Sequence, residues 1–153
     1  MAIRERGTFW KRVDGADCEP ERFVNPETFF KVALHFAEKG HTVIRVGDKN
    51  QTPMPEHENI IDFSKFEDTR MLDDMFLIKY AKVFLACDSG IWPMAGGFGS
   101  PLILSNVTSV FNSNPPKYEI TNWLSEKNSV VLYKKNKQDN SKEELISSIE
   151  KFL

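Results

Sequence analysis

KVFLACDSGIWPMAGGFGSPLILSN, residues 82–106, decides the reading of the fold. Residues 83–87 are a short unbroken apolar run, the pattern of a strand covered on both faces in a parallel sheet. Asp88, Ser89 and Gly90 stop that run. The small residues Ala95, Gly96, Gly97 and Gly99 follow, and Pro101 opens a second apolar run over 102–104. Strand, glycine turn, short helix and strand make a βαβ unit. Its first turn is expected to set Ser89, Gly90 and the next N–H groups at a helix N-terminus, where a phosphate binds.

Working outward, the flanking segments repeat the same alternation. Asn25-Pro26-Glu27 predicts a helix start, with an N-cap, proline at the first helical position and an early acid. Phe29, Phe30, Ala33, Leu34 and Ala37 recur at helical spacing and Gly40 ends the pattern, so residues 26–39 read as an amphipathic helix. A strand over 42–46 carries Arg45 and closes at Gly47 and Asp48. A weaker strand spans 59–63, and a helix capped by Thr69 runs to Tyr80 with Asp73 and Asp74 near its positive end. Residues 129–133 read as the last strand. Ser141 with Glu144 forms a capping box ahead of Leu145, Ile146, Ile149, Phe152 and Leu153, which share one helix face. Residues 1–7 read as a frayed terminus or as the end of a first strand, residues 8–24 as loop, and 107–128 as loops with a short helix. Alternating strands and helices without a linker or repeat predict one α/β domain over 1–153, a three-layer α/β/α sandwich with a mainly parallel sheet.

Composition narrows the function classes. The 153 residues suffice for one domain with a core, and 41% hydrophobic and 27% charged residues with a net charge of −2 are ordinary for a globular protein. No basic surface interleaved with aromatics points to nucleic acid. No apolar stretch reaches the roughly 18 residues of a membrane span. Cys18 in a polar segment and Cys87 in a core strand make a poor disulfide pair, so a reducing, cytoplasmic setting is expected.

In a sheet of this kind, ligands sit at the carboxyl ends of the strands. Those ends carry Arg4 and Arg6, Gly47 and Asp48, Asp88 to Gly90, and Ser105 with Asn106, and Arg45 lies inside the strand that leads to Gly47. Arginines beside a helix-end serine and glycine would clamp a pyrophosphate, because a guanidinium pairs with phosphate oxygens in bidentate fashion. The bland alternatives are a common Asp-Ser-Gly turn, a solvated Arg4, dipole-complementing Asp73 and Asp74, and an Arg45 that needs a buried anionic partner. His35, His41 and His57 lack metal-ligand spacing, so no metal site is expected. Neither GxGxxG after the first strand nor GxxxxGK[ST] occurs, which weakens nicotinamide and ATPase readings.

The pieces IRERG (3–7), RFVNPETFFKVALHFAEKGHTVIRVGD (22–48), LDDMFLIKYAKVFLACDSG (72–90) and GFGSPLILSN (97–106) together resemble the C-terminal, donor-binding half of GT-B-type glycosyltransferases. The likeness is to a bacterial group associated with surface polysaccharide clusters. More distantly the order is similar to fucosyltransferases that use GDP-fucose, and DSG with a small-residue helix and GxP is similar to heptosyltransferases and nucleotide-sugar epimerases. The resemblance implies a Rossmann-like sandwich, a nucleotide-sugar donor that is GDP- or UDP-linked, a glycan acceptor, and no metal or other cofactor. It implies Arg4 as the catalytic group at the donor diphosphate, with Arg6 a second arginine. Asp48 would lie near the base or ribose, Asp74 would support base recognition, and Ser89 with Gly90 would hold phosphate. The histidine that precedes the arginine in the fucosyltransferase pattern is absent, and IRERG separates arginines which that pattern pairs. GT-B enzymes close their site between two domains and this chain has room for one, which implies a partner domain or a homo-oligomer. Two alternatives stay open: a non-catalytic nucleotide-sugar-binding or assembly module, and an epimerase-like enzyme.

Overall fold

Helix α1 (Pro26–Glu38) starts where Asn-Pro-Glu sets it: Asn25 Oδ1 accepts the Glu27 N–H at 3.0 Å, and Pro26 sits where no N–H is needed. It stops at Gly40, whose φ of +85° is the left-handed region that glycine enters without strain. The chain continues through β1 (Val43–Arg45), β2 (Ile60–Asp62), a 3-10 turn (Phe63–Lys65), α2 (Met71–Tyr80), β3 (Phe84–Cys87), α3 (Trp92–Phe98), β4 (Leu102–Val107), β5 (Ser129–Tyr133) and α4 (Lys142–Ile149). This computed structural model describes residues 1–5, 22–107, 124, 128–135 and 138–153. The loop expected over 8–24 and the loops and short helix expected over 107–128 lie largely outside them.

The protein is mixed α/β with parallel sheets. Strand β1 pairs with β2, and β3, β4 and β5 pair in that order, all parallel. Residues 1–2 lie between the two sets. Met1 N–H donates to Ile44 O and Val46 N–H to Met1 O at 3.0 Å, while Ala2 N–H donates to Leu85 O at 2.9 Å and Cys87 N–H to Ala2 O at 3.2 Å. Of the two expectations for the N-terminal residues, the strand end is the one that forms.

Strand side chains alternate between two buried clusters. Ile3, Leu85, Cys87 and Ile103 join Phe29, Val32 and Phe36 of α1 and Leu145 and Ile149 of α4. Ala2, Phe84, Ala86, Leu102 and Leu104 join Ile78 of α2 and Ala95 of α3. A strand apolar at every position is therefore apolar for both clusters at once, which explains the unbroken runs in the sequence. Among the described residues no helix is long and apolar enough to cross a membrane.

Two helix starts differ from expectation. The N-cap of α2 is Arg70, not Thr69, because the Asp73 carboxylate accepts the Arg70 N–H at 2.8 Å; the Thr69 hydroxyl donates to Phe66 O at 3.3 Å instead. Helix α3 begins at Trp92, not directly after Ser89. Pro93 has no N–H and fits only the first turn, which fixes the start. The capping box of α4 forms as expected, with Ser141 Oγ accepting the Glu144 N–H at 3.2 Å and Glu144 Oε2 accepting the Ser141 N–H at 3.0 Å.

Candidate functional site

At the carboxyl ends of the strands the chain gathers Arg4, Arg22 and the Asp88–Gly90 turn. Arg4 is 5% exposed, with its guanidinium carbon 5.5 Å from the Phe23 ring centroid. Its carbonyl accepts the Val24 N–H at 3.1 Å, which pulls the approach to α1 against the end of the central segment. Arg22 donates from Nη2 to Asp88 Oδ1 and from Nε to Asp88 O, both at 3.1 Å. Asp88 is fully buried and its charge is met by this guanidinium. Ser89 N–H turns back to Cys87 O at 2.7 Å, making the turn tight. Ser89 Oγ is buried and has no hydrogen-bond partner among the described residues. A buried hydroxyl left unbonded costs about 1–3 kcal/mol.

Other residues singled out from the sequence are engaged in holding the fold. Arg45 is 0% exposed and reaches Asp62 through Nε at 2.9 Å and Nη2 at 2.5 Å; it also donates to Thr52 O and Ser64 Oγ. Its guanidinium is thus enclosed by protein acceptors and is not presented to a ligand. Asp62 is held below the usual carboxylate range: burial acts to raise it, but hydrogen bonds from Ser64, the Met54 amide and Arg45 outweigh burial. Asp48 Oδ1 accepts the Asn50 N–H at 2.8 Å, which shapes the turn after β1. Gly47 is exposed with φ +117°. The Asp74 carboxyl is raised, by burial first and the neighbouring Asp73 charge second.

Asn106 is fully buried with φ +57°. Its N–H donates to Asn140 Oδ1 and its own Oδ1 accepts the Asn140 N–H, both at 2.7 Å. This reciprocal clip ties the end of β4 to the approach of α4, and the β4–β5 register shifts between Leu104 and Val107 beside it. Gly90 is exposed at the rim. Arg6 lies outside the described residues, as does Cys18. Cys87 is buried, in no disulfide, and its thiol is pushed up to about 12 chiefly by burial, so it is no nucleophile.

Sequence reasoning missed Arg22, Glu5 and Lys134. Arg22 stands three residues ahead of the Asn25 cap, and a helix start packed at the rim would bring such a residue there. Glu5, 6% exposed, accepts the Thr52 N–H at 3.0 Å and the Thr52 hydroxyl at 2.7 Å, binding the 48–54 loop to the central segment. Lys134 follows β5 and donates to Phe23 O and Asp139 Oδ1, both at 2.8 Å. Among the described residues no group of three His, Cys, Asp or Glu side chains is placed to hold a metal ion. Comparison with protein-family models, with curated proteins and with solved structures gave no match.

Proposed function

We propose that the chain is a nucleotide-sugar-binding domain of Rossmann-like, three-layer form belonging to a glycosyltransferase. The sheet order supports that form: with residues 1–2 counted as a strand, the first in sequence lies between the second and the fourth, and the crevice opens at that reversal. The observation that carries the binding reading is the buried, unbonded Ser89 hydroxyl on the rim beside the Arg22–Asp88 pair and Arg4. Sugar transfer rests on the resemblance of the four sequence segments to GT-B donor domains.

In this reading the donor is a GDP- or UDP-sugar and the acceptor a glycan. The anomeric carbon–oxygen bond breaks and its electron pair leaves with the nucleoside diphosphate, whose growing charge Arg4 and the rim N–H groups stabilise. An acceptor hydroxyl forms the new bond and gives its proton to a base on a partner domain. No metal is required for that charge stabilisation, and the setting is cytoplasmic. Thermal-shift measurements with GDP, UDP, ADP and CMP, with and without magnesium, test the reading. A diphosphate-specific rise indifferent to metal is expected, and Arg4→Ala and Ser89→Ala should weaken diphosphate binding by about tenfold while sparing nucleoside binding. No shift with any nucleotide overturns it.

The pairing of rim charges with one another, Arg22 with Asp88 and Lys134 with Asp139, favours a second reading: a module that binds without turnover. Binding with no release of free sugar or transfer, even with a partner domain present, would select it.

A further inference from the structure

Residues four apart on a helix stand on one face, so Leu72, Phe76 and Tyr80 form a single stripe along α2. Ile78, two residues past Phe76 and so roughly opposite it, is buried in the cluster with Ala2, Phe84 and Ala95. The stripe therefore faces away from the sheet. Leu72, Phe76 and Tyr80 are 70%, 62% and 66% exposed, more than any other large apolar side chain among the described residues, and the Phe76 and Tyr80 rings lie 4.6 Å apart. A surface helix ordinarily turns polar and charged residues to that side. Helix α2 instead keeps Asp73 and Asp74 half-buried and turns aromatic rings outward. An aromatic side chain presents about 150–250 Å², so the stripe, with Met75 and the Lys79 stem beside it, offers about 500–600 Å² on each molecule. That is the upper limit for the largest apolar patch of an ordinary monomer.

We infer that this stripe pairs with the same stripe of a second copy of the chain. Two stripes face to face bury about 1,000–1,200 Å², which reaches the size of the smaller specific interfaces. A two-fold contact also requires a surface complementary to itself. Phe76 stands midway along the stripe, with an apolar residue four positions to each side. Asp73, three positions before it, and Lys79, three after it, flank the stripe on opposite sides and carry opposite charges. A two-fold axis running along the stripe lays Phe76 against its own copy and brings Asp73 alongside the partner's Lys79 on both flanks. Rows of residues four apart pack on one another with the helices crossing at about 50°, which sets the angle between the two α2 helices. A helix that lies on an anionic membrane is flanked by Lys and Arg, whereas here an acid takes one flank. The pairing stands or falls independently of the nucleotide-sugar reading.

Sedimentation equilibrium of the full chain tests this. A dimer with a Kd of about micromolar is expected, since pairs at the low end of interface area are weak. Phe76→Glu sets two carboxylates against each other at the centre and should weaken the dimer about tenfold or more, while Phe76→Leu should leave it close to wild type. Lys79→Glu, which opposes two acids on each flank, should weaken it as well. These side chains are exposed, so each variant should keep the wild-type unfolding midpoint at concentrations where the chain is monomeric, which separates lost pairing from lost folding. A chain that stays monomeric to about 1 mM overturns the proposal. So does a dimer that Phe76→Glu leaves intact. A monomer that floats with phosphatidylcholine vesicles, and ceases to on Phe76→Glu, assigns the stripe to a lipid surface and overturns it too.

Discussion

Arg45 puts a buried cation at the end of a parallel strand, and the fold answers with Asp62, its register partner at the end of the neighbouring strand, plus a hydroxyl and a carbonyl. Removing Asp62 leaves the buried guanidinium with Glu5, 3.8 Å from its Nη1, as its carboxylate partner, and breaking such a buried pair typically costs about 3–5 kcal/mol. The Asp62 carboxyl lies below its unfolded value, so its contribution is complete above the unfolded value and is lost as pH falls through the lowered folded one. Asp62→Asn should therefore cost about 3 kcal/mol at pH 7, with the gap to wild type closing as acid protonates Asp62. Urea midpoints from pH 7 to pH 2 measure this; a gap that stays constant over the range contradicts it. The need for a buried partner was legible in the sequence, but its identity was not, since Asp62 is one acid among 22 Asp and Glu and only strand pairing selects it.

At the scale of elements, caps and turns were the most legible features. Asn25 and Ser141 act locally, through side chains that reach N–H groups two or three residues on, so a short window of sequence contains the whole interaction. The start of α2 was less legible because Thr69 and Arg70 compete for the cap, and Asp73 decides in favour of the second. Asp74, one residue on, is a half-buried acid in the same first turn. Its raised carboxyl has the opposite sign from Asp62: the folded state binds the proton more tightly, so ionised Asp74 weakens the fold once pH exceeds that raised value. Asp74→Asn keeps the side chain's size and removes the charge. A rise in Tm of about 1–2 °C at pH 7, from about 0.5 kcal/mol after solvent screening, is expected, shrinking toward zero in acid. A lower Tm at pH 7 would mean that the helix-dipole benefit of the charge exceeds its burial cost.

Across the whole molecule, the alternation of strands and helices was readable because double-sided burial writes itself as unbroken apolar runs. The rim was harder to read. Arg45, Asp48 and Asn106 occur at strand ends as a ligand site requires, yet each closes a hydrogen bond within the fold, and a strand-end position alone does not separate the two uses. Residues 1–2 supply backbone bonds that join β1–β2 to β3–β4–β5. The β1–β2 pair should accordingly open on its own more readily than the doubly flanked β4. Native-state hydrogen exchange should show Arg45 amide protection below that of Ile103 and Leu104, and Ala2→Pro, which removes the bond to Leu85 O, should widen the difference. Equal protection in both would show one cooperative unit.

That central placement also orders events in time. Ala2 bonds to residues on both sides of Ala86, so the middle of the sheet cannot close until the chain through 87 has been made. A parallel ladder between segments so far apart in sequence carries a large loop-closure cost and slows folding. On the ribosome, residues 1–2 can pair with β1 but would wait with their other edge unpaired until residues 84–87 emerge, a window in which a chaperone, or another strand, finds that edge first.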